Sequence, residues 1–195
     1  QPFRLVTRSD FDGLVCAVLF KDLGMIDDIL FVHPKDMQDG IIDIGPNDIT
    51  TNLPYVAGCH LSFDHHASEV KRRGDNAPDN HIIDTEAPSA ARVVYDYYGG
   101  AQRFPNISVD MMEAVDKADS AQFSRDEILN PTDWVLLNFL MDSRTGLGRF
   151  REFRVSNYQL MMHLIDYCYD HNIEEILKLD DVKERVELYN EHRQQ

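Results

Sequence analysis

Along the first ninety positions, apolar residues switch repeatedly between a strand-like and a helix-like rhythm. Residues 3–7, with Phe3, Leu5 and Val6, form a short β-prone run that ends in Arg8-Ser9-Asp10-Phe11-Asp12-Gly13. Leu14, Val15, Val18 and Leu19 then recur at helical spacing before Gly24, which predicts an amphipathic helix. Further β-prone runs fall at 29–32, more weakly at 49–56, at 59–63 and at 81–84. The 59–63 run leads straight into Asp64-His65-His66. Strands separated by helix-length connections predict an α/β fold with a mostly parallel sheet of about five strands flanked by helices.

From Pro88 onward the pattern is helical. A helix opening at Pro88-Ser89-Ala90-Ala91 stops at Gly99-Gly100, and others are expected over 111–118, 134–141, 158–169 and 182–191. In the 158–169 stretch, Leu160, Met161, Leu164, Ile165 and Cys168 share one face, as core packing requires. Residues 71–80, beginning Lys71-Arg72-Arg73-Gly74, read as a solvated loop. The expected organisation is an α/β domain over 1–125 and a helical extension packed on it over 126–195.

Composition narrows the function classes. Hydrophobic residues at 43% and charged residues at 27% fit a chain that builds a core. No apolar run approaches the roughly 18 residues of a membrane span, and no basic segment precedes an apolar one at the start. No membrane partner is therefore expected. Cys16, Cys59 and Cys168 are odd in number and far apart, which fits a reducing, cytoplasmic setting better than a disulfide framework. The net charge of −15 argues against an extended nucleic-acid surface. Asp outnumbers Glu by 24 to 10, which points to many caps and turns or to a metal site. The chain starts at Gln1 and ends on helices, so it is expected to be part of a longer protein.

Candidate chemistry sits where strands end. Asp10-x-Asp12-Gly13 follows the first run, where ligands of open α/β sheets collect. Taken alone these letters also spell an ordinary capped turn. Asp64-His65-His66 follows a later strand, and imidazole with carboxylate suits Mn²⁺, Fe²⁺, Co²⁺ or Zn²⁺. A hydrogen-bonded surface turn is the plain alternative there, but two acid-rich strand ends in one sheet point to a shared site.

With these motifs in order, the sequence resembles the DHH phosphoesterase superfamily, and within it the exopolyphosphatase-related bacterial members. Thr7-Arg8-Ser9-Asp10-Phe11-Asp12-Gly13 is similar to the first motif and Phe63-Asp64-His65-His66 to the namesake motif. Ala87-Pro88-Ser89-Ala90-Ala91 looks like the segment that follows, and Asp119-Ser120-x-x-Phe123 like the fourth motif. The resemblance implies phosphoester or phosphoanhydride hydrolysis by metal-activated water at a two-metal site, usually Mn²⁺, with Mg²⁺ or Co²⁺ as substitutes and occupancy of only one site as the alternative. It implies metal ligands at Asp10, Asp12, His65 and Asp119, with Asp64 orienting them and His66 holding the phosphate. Asp116 competes with Asp119 for the last role. The implied substrate is a small phosphate compound: polyphosphate, a short oligonucleotide or a nucleotide phosphate.

Two positions depart from the pattern. Arg8 stands where many relatives carry a histidine, and it cannot ligate a metal, although its charge could hold phosphate directly. Asn52 is the best match to a bridging aspartate, with Asp39, Asp43 and Asp48 as fallback candidates, and its neutral amide is a poorer metal ligand. Arg144 and Arg149, in a segment with four arginines, are candidate phosphate clamps. A binding or regulatory module with a degraded metal site, sensing a phosphorylated ligand, is the alternative to an enzyme. The family's second, substrate-capping domain has no counterpart in these 195 residues, and an open helical flank would leave apolar surface for a homo-oligomer contact.

Overall fold

A computed structural model describes residues 2–142 and 153–193. Arg144 and Arg149 lie outside the described residues. Five strands, β1 (Phe3–Arg8), β2 (Ile26–Val32), β3 (Asp48–Thr51), β4 (Leu61–Asp64) and β5 (His81–Ile83), form one sheet in the order β2-β1-β3-β4-β5. Every neighbouring pair is parallel. The sheet grows outward in both directions from the β1–β3 pair, so their carboxyl ends bound a crevice at the point where the strand order reverses.

Parallel strands need long crossovers, and helices supply them. They are α1 (Phe11–Asp22), α2 (Pro34–Gln38), α3 (Ala67–Arg73) and α4 (Ala90–Tyr97), followed by α5 (Val109–Ser120), α6 (Arg125–Leu129), α7 (Asp133–Met141), α8 (Asn157–Asp170), α9 (Ile173–Leu177) and α10 (Asp180–Arg193). The chain is thus the α/β fold with C-terminal helices that the apolar rhythm predicts. In α8 the buried residues are Leu160, Met161, Leu164, Ile165 and Cys168, the face expected from spacing.

Three local expectations change. Helix α1 is not amphipathic: every residue from Phe11 to Phe20 is buried, because α4, α5, α7 and α8 wrap the sides that do not meet the sheet. The 49–56 run is a strand only to Thr51, since Asn52 turns into the left-handed region (φ 58°) and Pro54 has no N–H for a ladder. Lys71, Arg72 and Arg73 belong to α3, which stops at Gly74; Arg72 pairs with the buried Glu69 at 2.8 Å. The short helices α2, α6 and α9 have too few residues to show a period.

One hydrophobic cluster runs from Leu5 in β1 through α1 and α8 to Val182 in α10. A smaller one, Val6, Val32, Met37 and Leu53, covers the other sheet face, as side-chain alternation along β1 demands. Arg185 fastens α10 down although it is 2% exposed. Its guanidinium donates to Asn157 Oδ1 (3.0 Å), Asp181 O (2.9 Å) and Val155 O (2.9 Å), and it covers the Phe153 ring. All three cysteines are buried and free. No helix among the described residues is long and apolar enough to cross a membrane.

The β5 edge carries His81, buried with neither ring nitrogen hydrogen-bonded and stacked on Tyr55 at 4.7 Å. Burial lowers its pKa; Glu69 and Asp64 oppose the shift, while Arg73 and Arg72 favour it. The unfolded chain therefore takes up this proton first, so the contribution is intact above about pH 6.5 and is lost as pH falls below it. The loss is at most about 1.4 kcal/mol per pH unit. In urea titrations between pH 7.5 and 5, His81→Phe is expected to flatten the decline in stability seen for the unmodified protein. Identical declines would refute the assignment.

Candidate functional site

The loops after β1, β3 and β4 converge with the end of α5. Asp10 caps α1, its Oδ1 accepting from Gly13 N at 2.9 Å. Gly13 is required by clearance: a Cβ there would lie 2.0 Å from Arg8 O. This lets α1 begin directly beneath the strand end, with Asp10 and Asp12 on the crevice.

Asp12 is 3% exposed. Its Oδ2 accepts from Asn52 Nδ2 (3.1 Å) and Ala90 N (3.1 Å), and its Oδ1 from Ala91 N (2.9 Å). Ala90 and Ala91 open α4, so an anion sits on that helix N-terminus, where N–H groups and dipole favour it. Three of about four lone-pair positions are thus filled, and what remains is on Oδ1, where Cys16 Sγ approaches only to 3.9 Å. Asp12 can therefore offer a cation one oxygen. Burial raises its pKa well above the usual carboxylate range, and Asp119 and Asp10 add to the shift. Burial also raises Asp10, against the Gly13 hydrogen bond and Arg8, whose Nε lies 3.7 Å from Asp10 Oδ2.

Asp64, buried at the end of β4, organises the two histidines. Its Oδ1 accepts from His65 N (2.7 Å) and His66 N (3.2 Å) and lies 2.7 Å from His66 Nδ1. His65 Nδ1 faces the carbonyl of Ala87 at 3.1 Å, and a carbonyl can only accept. The ring proton is therefore on Nδ1, and Nε2 of the neutral ring carries a lone pair. Nε2 nonetheless lies 2.6 Å from Asp119 Oδ2, a contact that is an ion pair only if the ring is protonated, and with the ring neutral it is a buried atom without a hydrogen-bond partner. Burial opposes charging the ring, but Asp119, Asp12 and Asp64 outweigh it and raise its pKa.

These features test whether a cation fits. Asp12, His65 and Asp119 bring ligand atoms within 4.8 Å of one another, and so do Asp64, His65 and His66. An unpaired imidazole nitrogen against a carboxylate, with its other nitrogen on a backbone carbonyl, is how a metal-binding histidine is held. Repulsion between carboxylates adds to the burial that raises Asp10 and Asp12, and a divalent ion would relieve it. The donor set suits a cation at Asp12, His65 and Asp119. It does not extend simply to Asn52: this amide donates to Asp12, and its Oδ1 is buried without a partner. Asp116 accepts instead from Ser89 Oγ (3.0 Å) and Arg92 Nη2 (2.7 Å), and so ties α5 to α4.

Arg8, Asp10, Asp12 and Asp119 line one side of a cleft of about 650 Å³. Its other side is built from Phe31, Val32, His33 and Pro34 at the end of β2, with Asn138 from α7. Sequence reasoning missed that side, because single aromatic and amide residues carry no motif. It also missed the α4 N–H groups on Asp12, for which Ser89 before Ala90-Ala91 was the available helix-start signal.

No protein-family model matches the chain, and no curated protein matches it. Among solved structures it superposes on the pGpG-specific phosphodiesterase PggH from Vibrio cholerae with a TM-score of 0.89 and 64% identity. The structural likeness is to a phosphodiesterase. It covers 97% of this chain and 60% of that one, so the chain spans about 60% of the length of PggH.

Cation binding is expected to raise the melting temperature, because the three ligands come together only in the folded state. With Mn²⁺ at a hundred times its dissociation constant the gain is about 2.7 kcal/mol. Asp119→Ala should abolish the Mn²⁺-dependent rise in a thermal scan. A rise of equal size in the variant would exclude Asp119 as a ligand.

Proposed function

We propose that this chain hydrolyses the phosphodiester bond of a small 5′-phosphorylated dinucleotide of the pGpG class, with a divalent cation, Mn²⁺ for preference. The observation that carries the reading is the unpaired His65 Nε2 beside Asp119 and Asp12, in a cleft shared with Arg8. The 64% identity to a pGpG-specific phosphodiesterase supports the dinucleotide over polyphosphate, which the motifs alone leave equal.

Asp12, His65 and Asp119 hold the cation. When bound, it supplies positive charge against the phosphate oxygens and acidifies water for attack on phosphorus. Asp12 is kept in place by the α4 N-terminus and Asn52, so the metal-facing oxygen needs no rearrangement. Asp64 fixes the His66 ring by its Nδ1, leaving Nε2 as the nitrogen available to the substrate. With Nδ1–H held by Asp64, a second proton taken up at Nε2 makes the ring an imidazolium, which stabilises charge on the phosphate and passes that proton to the leaving oxygen. Arg8 contributes its charge beside Asp10, where a second cation would otherwise serve, and contacts a phosphate oxygen. Asn52, a neutral amide against Asp12, favours one tightly held cation over two. The site residues, and a reducing cytoplasmic setting for the chemistry, are part of this proposal.

The full-length protein with Mn²⁺ should convert pGpG to GMP. His66→Ala should lower kcat by about 10²–10⁴-fold while Mn²⁺ uptake persists. Stoichiometric Mn²⁺ uptake without GMP release would instead favour a phosphate-sensing module.

A further inference from the structure

The part of the cleft lining at the β2–α2 junction is given no role in the metal and phosphate chemistry proposed above. It is made by the last residues of β2 and the first of α2: Phe31, Val32, His33 and Pro34. Neither lysine nor arginine contributes to it among the described lining residues; Arg8, the one lysine or arginine among them, belongs to the β1 end with the acids. A volume of about 650 Å³ is that of a site for a ligand with rings as well as phosphate.

Phe31 is half-buried, and its ring meets the Tyr158 ring edge-on at 6.0 Å and 81°, which braces it from the α8 side. In register it lies beside Thr7, one strand from the turn that carries Asp10 and Asp12. The aromatic surface and the phosphate-directed groups are therefore adjacent ends of one sheet. His33 caps α2: its Nδ1 accepts from Lys35 N at 3.1 Å. That hydrogen bond puts the proton of the neutral ring on Nε2, which makes His33 a donor on the exposed side of the cleft. Asn138, which lines the same cleft from α7, makes no side-chain hydrogen bond among the described residues, and it can donate and accept at once.

We infer that Phe31, His33 and Asn138 form a nucleobase subsite, in which a purine stacks on Phe31 and presents its edge to His33 and Asn138. A donor at His33 suits guanine, whose O6 and N7 both accept, better than adenine, whose N6 donates. Stacking gives the aromatic ring a planar partner in a way that neither a phosphate nor an aliphatic chain does. The inference deepens the phosphodiesterase reading and rests on it for the phosphate half of the ligand, but its base half can be measured separately.

The probes are GMP, AMP and inorganic phosphate, titrated calorimetrically into the full-length protein with Mn²⁺, so that no turnover intervenes. GMP should bind more tightly than AMP. Phe31→Ala should weaken GMP by about tenfold and leave inorganic phosphate within twofold. Phe31→Leu, which keeps apolar bulk in the wall, should weaken GMP similarly if stacking is the interaction. His33→Ala should narrow the GMP to AMP ratio. GMP affinity unaffected by either Phe31 variant, no GMP binding by the unmodified protein, or equal loss of phosphate and GMP would each overturn the subsite. Turnover of pGpG separates the two readings. Cleavage with Phe31-independent GMP binding removes the subsite alone. Phe31-dependent GMP binding without cleavage removes the phosphodiesterase reading alone.

Discussion

A carboxylate taken out of water must be given hydrogen bonds, and Asp12 receives three of them from two distant places in the chain at once. The first two N–H groups of α4 and the amide of Asn52 all point at it. The β1 turn, the end of β3 and the start of α4 are therefore held at fixed separation by one side chain. Hydrogen bonds to a charged partner are worth roughly 1.5–3 kcal/mol each, and leaving the donors bare costs about 1–3 kcal/mol apiece. Asp116, with Ser89 and Arg92, locks α5 to the same helix from the other side. Asp119, one turn further along α5, then has little freedom in where it meets His65.

The fold was legible because its signals are periodic. Five apolar runs and long helical stripes appear as such in the sequence, and the α8 core face can be read residue by residue. What was not legible was set by tertiary contact. Spacing marks α1 as amphipathic, yet its outer side is covered by helices that arrive from far along the chain. At the site, strand-end placement singled out Asp10, Asp12 and Asp64-His65-His66. The choice between Asp116 and Asp119 stayed open because both lie on one helical run, three residues apart. Tertiary partners separate them: Ser89 and Arg92 hold Asp116, while Asp119 meets His65.

The acidity of the chain looks at first unsuited to a phosphate ligand. The structure divides that charge into populations with different partners. Asp48 neutralises Arg4, Asp116 neutralises Arg92, and Asp181 neutralises Arg154. Asp10, Asp12 and Asp119 instead crowd one another; burial first, and then repulsion from neighbouring carboxylates, raises Asp10 and Asp12, and a bound cation would turn that repulsion into affinity. Formal net charge is thus a poor guide to the potential inside a cleft of this size.

Gly13 shows why the Asp-x-Asp-Gly string is so compact. With the helix starting so near the strand carbonyl of Arg8, there is no clearance for even a methyl group, and any larger residue would lever the helix away from the sheet. That displacement would pull Asp12 off the α4 N–H groups before it altered any charge. The signature is therefore as much a mechanical tolerance as a chemical one. Sequence drift at this position is closed off by distance, whatever reaction the cleft performs.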